Sequence, residues 1–478
     1  MSPVHCCTAV SRNYLAHARV LAESFLKHHR DGRFSLLLVD RDGYDPALAD
    51  ELASFGSFEL LSLEQVGIDQ CELDRRATMY ATQGMVASFK PDLLRALLAR
   101  EQAPVVLLDA DGCIYADLAP VAELAERHDV VLSPHSVDPY PLHGVDAAAA
   151  RWRRDSPDQI VFRAGVMNGG LVAVGRGGEP FLRWWSQRTR LRCVFDEQYG
   201  LLLCQPWLTL AIATFDCAVL RDRGCNVAGW NLQARDVCWD GERPTIDGGP
   251  LRHFHFAGSF DPEHPQTLTP VATLADWWTP LAERPGTARL VREYAQRLLD
   301  RGHREVRATA GPNASMPDGS PIQPWMRELY RRELMAAEGE RRPEPPNPFA
   351  DGPRRFTEWA QAQAADSVER AGQAGGGHEP GLDLAQSQLH ATLLEGGRLL
   401  ERVGELEAAR DDAVQWAQRV SGELRETELA LVKARAEAEQ SEGELRQLRT
   451  TMEGVWASFS WRATAPLRAL KGRLADRR

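Results

Sequence analysis

Several familiar signatures are missing from this chain of 478 residues. Its nine cysteines are scattered, with no CxxC pair and no regular spacing, so neither a zinc pattern nor a disulfide framework is visible. An odd, dispersed set of this kind predicts reduced thiols and a cytoplasmic setting. No GxGxxG follows the first predicted strand and no GxxxxGK[ST] occurs, which disfavours a dinucleotide site and a P-loop. No stretch reaches the ~18 apolar residues of a membrane span. Met1 to Val10 lacks a basic region followed by a long apolar run, so the chain is expected to be neither secreted nor inserted. Positive charge is short as well. The formal net charge of −11 argues against a general nucleic-acid binder, although one end is locally basic.

What is present suffices for two or three units, and a hydrophobic content of 44% can build at least one large core. The chain is organised around Pro104 to Tyr115, which reads PVVLLDADGCIY. Four apolar residues without alternation predict a central strand covered on both faces. Asp109 and Asp111 then fall where that strand leaves the core, at the edge where open α/β sheets bind ligands. Residues two apart in extended chain share a face, so both carboxylates can turn toward one cation. A hard divalent ion held this way keeps positions open for phosphate oxygens. The plainer reading of Asp-x-Asp is a turn after a strand.

Val4 to Val10 reads as the first strand, with Ser11 or Asn13 capping a helix from Tyr14 to about His28. Strands at Phe34–Val39 and Phe58–Leu61 flank a weak helix near Asp45–Ser54. This β-α-β-α-β order predicts an α/β fold with a parallel sheet. Met79 to Arg100 reads as two short helices joined at Lys90-Pro91. Lys90 could reach a diphosphate, or be an ordinary solvated lysine. Leu118–Arg127 is a predicted helix, Val130–Leu132 a short strand, and Pro134–Asp158 an irregular loop near the site.

In Met167 to Val174, MNGGLVAV, the glycines either let the backbone approach a ligand closely or make a tight turn. Glu179–Arg190 is a helix carrying Trp184-Trp185. Asp196-Glu197-Gln198 is expected to open an apolar helix running through Leu203. Those acidic groups suit a helix N-terminus electrostatically, and they could also grip sugar hydroxyls. Leu251 to Gly258, LRHFHFAG, alternates as a strand, with Phe254 and Phe256 on one face and His253 and His255 on the other. Imidazole is a common ligand for manganese-type ions.

Taken in order, the strand-turn-helix with Thr8 and Tyr14, VVLLDAD, MNGGLVAV, the DEQ triplet, the Trp230-Asn231 pair and HFAG resemble the GT-A nucleotide-sugar glycosyltransferases. The resemblance is to the retaining family that includes glycogenin and bacterial lipopolysaccharide galactosyltransferases, and it covers roughly Pro3 to Pro265. It implies a Rossmann-like, mostly parallel central sheet over residues 1–272. It also implies metal-assisted transfer of a sugar from a nucleotide donor to a glycan or lipid-linked acceptor, in bacterial surface-polysaccharide assembly. The implied metal ligands are Asp109, Asp111 and His255, holding Mn²⁺ or Mg²⁺. Asn168, Asp196 and Glu197 carry the catalytic and sugar-positioning roles. Thr8, Ala9, Tyr14, Lys90, Asp109, Ala110 and Gly170 form the donor-binding set. One departure matters. The family follows HFxG with a lysine-proline-tryptophan that contacts diphosphate, whereas this chain has Ser259-Phe260-Asp261-Pro262. Two alternatives stay open: a non-catalytic scaffold of the same fold, and a sugar-nucleotide nucleotidyltransferase. The second lacks its glycine-rich, arginine-lysine N-terminal loop.

Residues 273–340 read as a helical extension and 341–380 as a Pro/Gly-rich linker with a short helix. Over 381–457, Leu399, Val403, Leu406, Ala413, Ala417, Val420, Leu424, Leu431 and their successors to Val455 follow alternating steps of four and three, with Arg410, Thr427 and Ser441 in the polar gaps of the seam. Such a seam predicts a coiled coil and homo-oligomer formation, thinly cored because many positions are alanine. The tail, 458–478, sets six Lys/Arg against Asp476, with Leu467, Leu470 and Leu474 as an apolar stripe. It can lie on anionic lipid or dock on a partner. It resembles the SxSWRxTxPLR ending found behind coiled coils in bacterial polysaccharide-assembly proteins.

Overall fold

The computed structural model describes residues 3–41, 44–101, 103–139, 157–196, 200–257, 260–265, 281–309, 311, 313–373, 445–454, 464, 466 and 468. The chain divides into two units, Met1–Gln363 and Ala364–Arg478.

The first unit alternates strand and helix: β1 (His5–Val10), a 3-10 turn (Arg12–Tyr14), α1 (Leu15–His28), β2 (Arg33–Leu38), α2 (Pro46–Ala53), β3 (Phe58–Leu61), α3 (Gln70–Met79), α4 (Thr82–Glu101), β4 (Val105–Leu108), β5 (Gly112–Ile114), α5 (Ala119–Arg127) and β6 (Val130–Pro134). There follow α6 (Pro157–Ala164), β7 (Met167–Val174), α7 (Glu179–Arg192), β8 (Phe195–Asp196), β9 (Leu201–Leu202), α8 (Gln205–Thr214), β10 (Cys217–Val219), β11 (Val227–Ala228), β12 (Val237–Asp240), β13 (Arg243–Ile246), β14 (Gly249–Pro250) and β15 (His253–His255). Four helices come next: α9 (Pro285–Asp300), α10 (His303–Arg307), α11 (Pro324–Glu340) and α12 (Pro353–Gln373).

The central sheet has the order β10-β6-β7-β4-β1-β2-β3. Every pairing in it is parallel except those of β7, which runs against both β4 and β6. The fold is thus mixed α/β with a parallel-rich sheet, as the strand-helix alternation predicts. The unbroken apolar runs follow from cover on both faces. Cys7, Leu37, Val105, Leu107 and Val172 pack under α4 and α7, while Cys6, Leu36, Val106, Leu108 and Leu171 pack under α1 and α5. Because β7 is reversed, its first residues lie at the same sheet edge as the last residues of β4.

Two expectations change here. α4 runs unbroken through Pro91 instead of splitting there. Proline removes one intrahelical donor. The carbonyl that Pro91 leaves without its helical donor is that of Ala87; the next one, Ser88, accepts from outside the helix, from Arg76 Nη1 at 2.9 Å and Thr189 Oγ1 at 3.4 Å. Asp196 does not open a helix either. Phe195 and Asp196 pair antiparallel with Leu202 and Leu201, and α8 begins only at Gln205. Gly200 and Leu203 both adopt positive φ, at 63° and 55°, which turns the chain out of helical geometry before Pro206 starts α8.

Residues 341–353 are not a free linker. Asn347 is buried, and its Nδ2 donates toward the Asp74 carbonyl (3.1 Å), Thr78 Oγ1 (3.0 Å) and the Tyr330 hydroxyl (3.0 Å). Arg75 clasps Glu344, and Arg41 lies 4.4 Å over the Phe349 ring. A three-stranded sheet, β12-β13-β14, is a further addition to the expected strands, although Asp240-Gly241 and Asp247-Gly248 mark its turns. Asp247 and Gly248 both have positive φ, the two-residue hairpin geometry that an Asp-Gly pair favours.

In the second unit the predicted coiled coil and tail lie almost wholly outside the described residues. Residues 445–454 are helical, and Leu445, Leu448 and Met452 stand exposed on them. Among the described residues no helix is long and apolar enough to cross a membrane.

Candidate active site

β4 ends at Leu108, but its pairing with β7 continues one step further: the Asp109 amide donates to the Gly170 carbonyl at 2.9 Å. A tight turn follows, with Gly112 N donating to Asp109 O at 3.1 Å, and β5 then departs to pair with β15. The Phe256 amide donates to the Asp111 carbonyl at 2.7 Å. These pairings bring together three side chains far apart in sequence. His255 Nε2 lies 3.1 Å from Asp111 Oδ1 and 3.9 Å from Asp109 Oδ2. One ligand atom from each of Asp109, Asp111 and His255 lies within 4.8 Å of the others.

Two glycines make room for the two histidines of β15. A Cβ at Gly170 would collide with His255 Cε1 and lie 2.7 Å from its Nδ1; a Cβ at Gly112 would collide with His253 Nε2. Glycine at 170 therefore seats an imidazole belonging to the protein itself, and sits inside β7 rather than in a turn. As expected, the His and Phe side chains of β15 alternate, the Phe254 and Phe256 rings packing together at 4.6 Å. His255 alone enters the cluster. His253 is fully buried, its pKa is pushed down to about 3 by burial, and neither ring nitrogen has a hydrogen-bond partner among the described residues.

The electrostatics fit a cation. Burial works against charge on both Asp111 and His255, but each outweighs it for the other. The Asp111 carboxyl is held below its ordinary range and the His255 imidazole above its own. The second nitrogen, Nδ1, lies 3.2 Å from Asn226 Oδ1. With Nδ1–H donating there, Nε2 is left to face the carboxylates, an orientation of the kind that metal-ligating histidines use. Two carboxylates and one imidazole suit Mn²⁺, and with open positions for water and phosphate also Mg²⁺.

Lys90 is buried and aimed at the cluster. Its Nζ lies 2.5 Å from Asp109 Oδ1 and donates to the Gly169 carbonyl at 3.1 Å. Burial alone would lower its pKa, and Asp109 more than reverses that. Of the two readings of this lysine, the solvated one is wrong.

Asn168 is a hub. Nδ2 donates to Gln205 Oε1 at 2.9 Å and lies 3.2 Å from His135 Nε2, and Oδ1 accepts from Gly170 N at 2.9 Å and Asn226 Nδ2 at 3.3 Å. Gln205 Oε1 also accepts from Gly169 N at 3.1 Å. Trp230 stands edge-on to His255 at 5.2 Å and donates from Nε1 to the His135 carbonyl at 2.9 Å. Sequence reasoning missed His135 and Gln205. The Gln-Pro pair at 205–206, a helix-start signal, was the available cue for the second. Asp196 lies on the separate β8–β9 hairpin, half-buried, and Glu197 lies outside the described residues.

On the other side of the cluster, Thr8 and Ala9 close β1, both buried, and the Thr8 hydroxyl has no hydrogen-bond partner among the described residues. Tyr14 stacks on His17 at 4.5 Å. Burial, then Asp111, pushes the Tyr14 hydroxyl up to about 12. Ala110 is buried between the two aspartates.

No protein-family model matches this chain, and no curated protein does. Among solved structures it is similar to the galactosyltransferase LgtC in complex with donor and acceptor sugar analogues, at 15% identity over 61% of this chain and 95% of that one, TM-score 0.37. It is also similar to the glycosyltransferase GlyE of Streptococcus pneumoniae TIGR4, at 13% identity over 64% of each chain, TM-score 0.37. A third is the bifunctional glycosyltransferase WbbM, at 11% identity over 55% of this chain and 47% of that one, TM-score 0.33. Likeness at this level assigns no activity.

Proposed function

We propose that the protein is a metal-dependent glycosyltransferase, moving a sugar from a nucleotide-sugar donor to a glycan or lipid-linked acceptor. One observation carries the reading. Asp109, Asp111 and His255 converge at the carboxyl edge of the sheet with ligand atoms within 4.8 Å of one another. A bound Mn²⁺ or Mg²⁺ would act there as a Lewis acid on the departing nucleoside diphosphate. The chain's own residues do the rest. Asp109 and Asp111 hold the cation, and His255, oriented by Asn226 and seated on Gly170, completes the ligand set. Lys90 fixes Asp109 and the Gly169 carbonyl. Thr8, Ala9, Tyr14 and Ala110 line the donor's nucleotide. Asn168 holds β7 in register beside the sugar, and Asp196 and Glu197 meet sugar hydroxyls.

The ordered motifs of the sequence support a retaining reaction in bacterial surface-polysaccharide assembly. They also support a cytoplasmic enzyme self-associating through 381–457, with 458–478 touching the inner membrane face. The test is nucleoside-diphosphate release from purified protein with a panel of sugar nucleotides and Mn²⁺. Release that depends on metal and on Asp111 is expected. A scaffold would release nothing from any donor, and a nucleotidyltransferase would release pyrophosphate from nucleoside triphosphate and sugar phosphate.

A further inference from the structure

The helices beyond residue 272 reach the candidate donor site. α10 packs on the 3-10 turn that carries Tyr14 and on α1, with the His303 ring edge-on to His17 at 5.4 Å, and His17 stacked in turn on Tyr14. α10 carries two arginines. Arg304 is committed to Glu263 at 2.7 Å. Arg307 is exposed and has no hydrogen bond or ion pair among the described residues. Its charge acts on the Tyr14 hydroxyl and on the His17 ring, the same two groups that Asp111 acts on from the other side. The packing of α10 on the turn that carries Tyr14 thus puts Arg307 on the helix that borders the space beside Tyr14, on which Asp111 also acts.

Among the described residues that space has no other free cation. Lys90 is spent on Asp109 and the Gly169 carbonyl. The segment after β15, Ser259-Phe260-Asp261-Pro262, offers none, and Asp261 is turned to His264 at 2.8 Å. A nucleoside diphosphate carries more negative charge than a divalent ion beside two aspartates can balance. A guanidinium, always charged and forked, matches phosphate oxygens in geometry as well as sign.

We infer that Arg307 binds the diphosphate of the donor, so that α10 completes a site whose paired aspartates lie far earlier in the chain. The inference rests on the proposed function and adds to it a residue from outside the predicted catalytic domain. The experiment is calorimetric titration of the full-length protein, with Mn²⁺ present, against UDP, GDP and ADP and against the matching nucleosides. Arg307→Ala is expected to weaken nucleoside-diphosphate binding about tenfold, leave nucleoside binding unchanged and flatten the salt dependence. Arg307→Lys should recover part of the loss, and Arg304→Ala, on the same helix, should have no effect. If the wild-type protein binds a nucleoside diphosphate and Arg307→Ala binds it equally well, the assignment of Arg307 is overturned while the donor site stands. If the wild-type protein binds none of the three, the donor site itself fails, and Arg307 with it.

Discussion

At the residue scale, the site depends on a small absence. Gly170 has no Cβ, and the His255 ring occupies the place a Cβ would take. Gly170→Ala must push the imidazole off the carboxylates. Mn²⁺ affinity, measured by electron paramagnetic resonance, is expected to fall by about tenfold or more, with secondary structure by circular dichroism unchanged. Asp111→Asn keeps the shape of the side chain but removes its charge and turns one acceptor oxygen into an amide donor, and with them half of the coupled pair. Transfer is expected to fall by about two to three orders of magnitude, and normal turnover by folded Asp111→Asn protein would refute the metal assignment. The carboxylate pair was legible in the sequence because an apolar strand running straight into two acids two apart sets both at the ligand-binding edge of its sheet. His255 was legible only alongside its neighbours, since His253 has the same parity and the same spacing to a phenylalanine. What separates them is Gly170, whose space admits one ring and which no pattern along β15 reveals.

At the scale of elements, α3 and α4 are tied together by one buried cation. Arg76 donates to Asp92 at 2.7 Å, to Glu72 at 2.9 Å and to the Ser88 carbonyl at 2.9 Å, and it lies 4.5 Å over the Phe89 ring. Removing one partner of a buried ion pair strands the other. Arg76→Ala is expected to lower unfolding free energy in urea by about 3–5 kcal/mol, and a loss under about 1 kcal/mol would show that Asp92 finds another donor. α4 crosses Pro91, where local sequence alone predicts a joint, and its residues on either side of the proline are buried against the rest of the core. Proline's local cost is visible in sequence, whereas the tertiary packing of the helix around it is not. The β8–β9 hairpin is hidden for a related reason. Acidic residues ahead of an apolar run mimic a helix start, and only Gly200, Leu203 and Pro206 together put that start at Gln205. Activity of Gln205→Ala and Asp196→Asn measured side by side will weigh the two positions. We expect about a tenfold loss for the first, because Gln205 anchors both Asn168 and Gly169. A comparable loss for the second is expected if the hairpin meets the sugar.

Across the whole molecule, the positions of the central strands and the two-faced core could be read almost directly from uninterrupted apolar runs, while the order of strands in the sheet, the reversal of β7 and the limits of the first unit could not. Several histidines are buried in it as neutral rings. Burial lowers His5 from 6.5 to about 4, and His135 likewise to about 4. A base held below its unfolded value makes the unfolded chain bind more protons between pH 6.5 and 4, so stability is greatest above pH 6.5 and is lost as pH falls toward 4. For His5 alone the full span corresponds to about 3 kcal/mol. The urea midpoint is expected to drop steadily from about pH 7 to about pH 5, and a flat profile would contradict it.

The strap of residues 341–353 has a practical corollary. Its Asn347 fills a polar slot among Asp74, Thr78 and Tyr330, and Arg41 and Arg75 close over it. A shortened gene that stops at codon 340, the boundary composition invites, would unroof that slot and yield inclusion bodies. One that stops at codon 363 keeps the seal and should give soluble material.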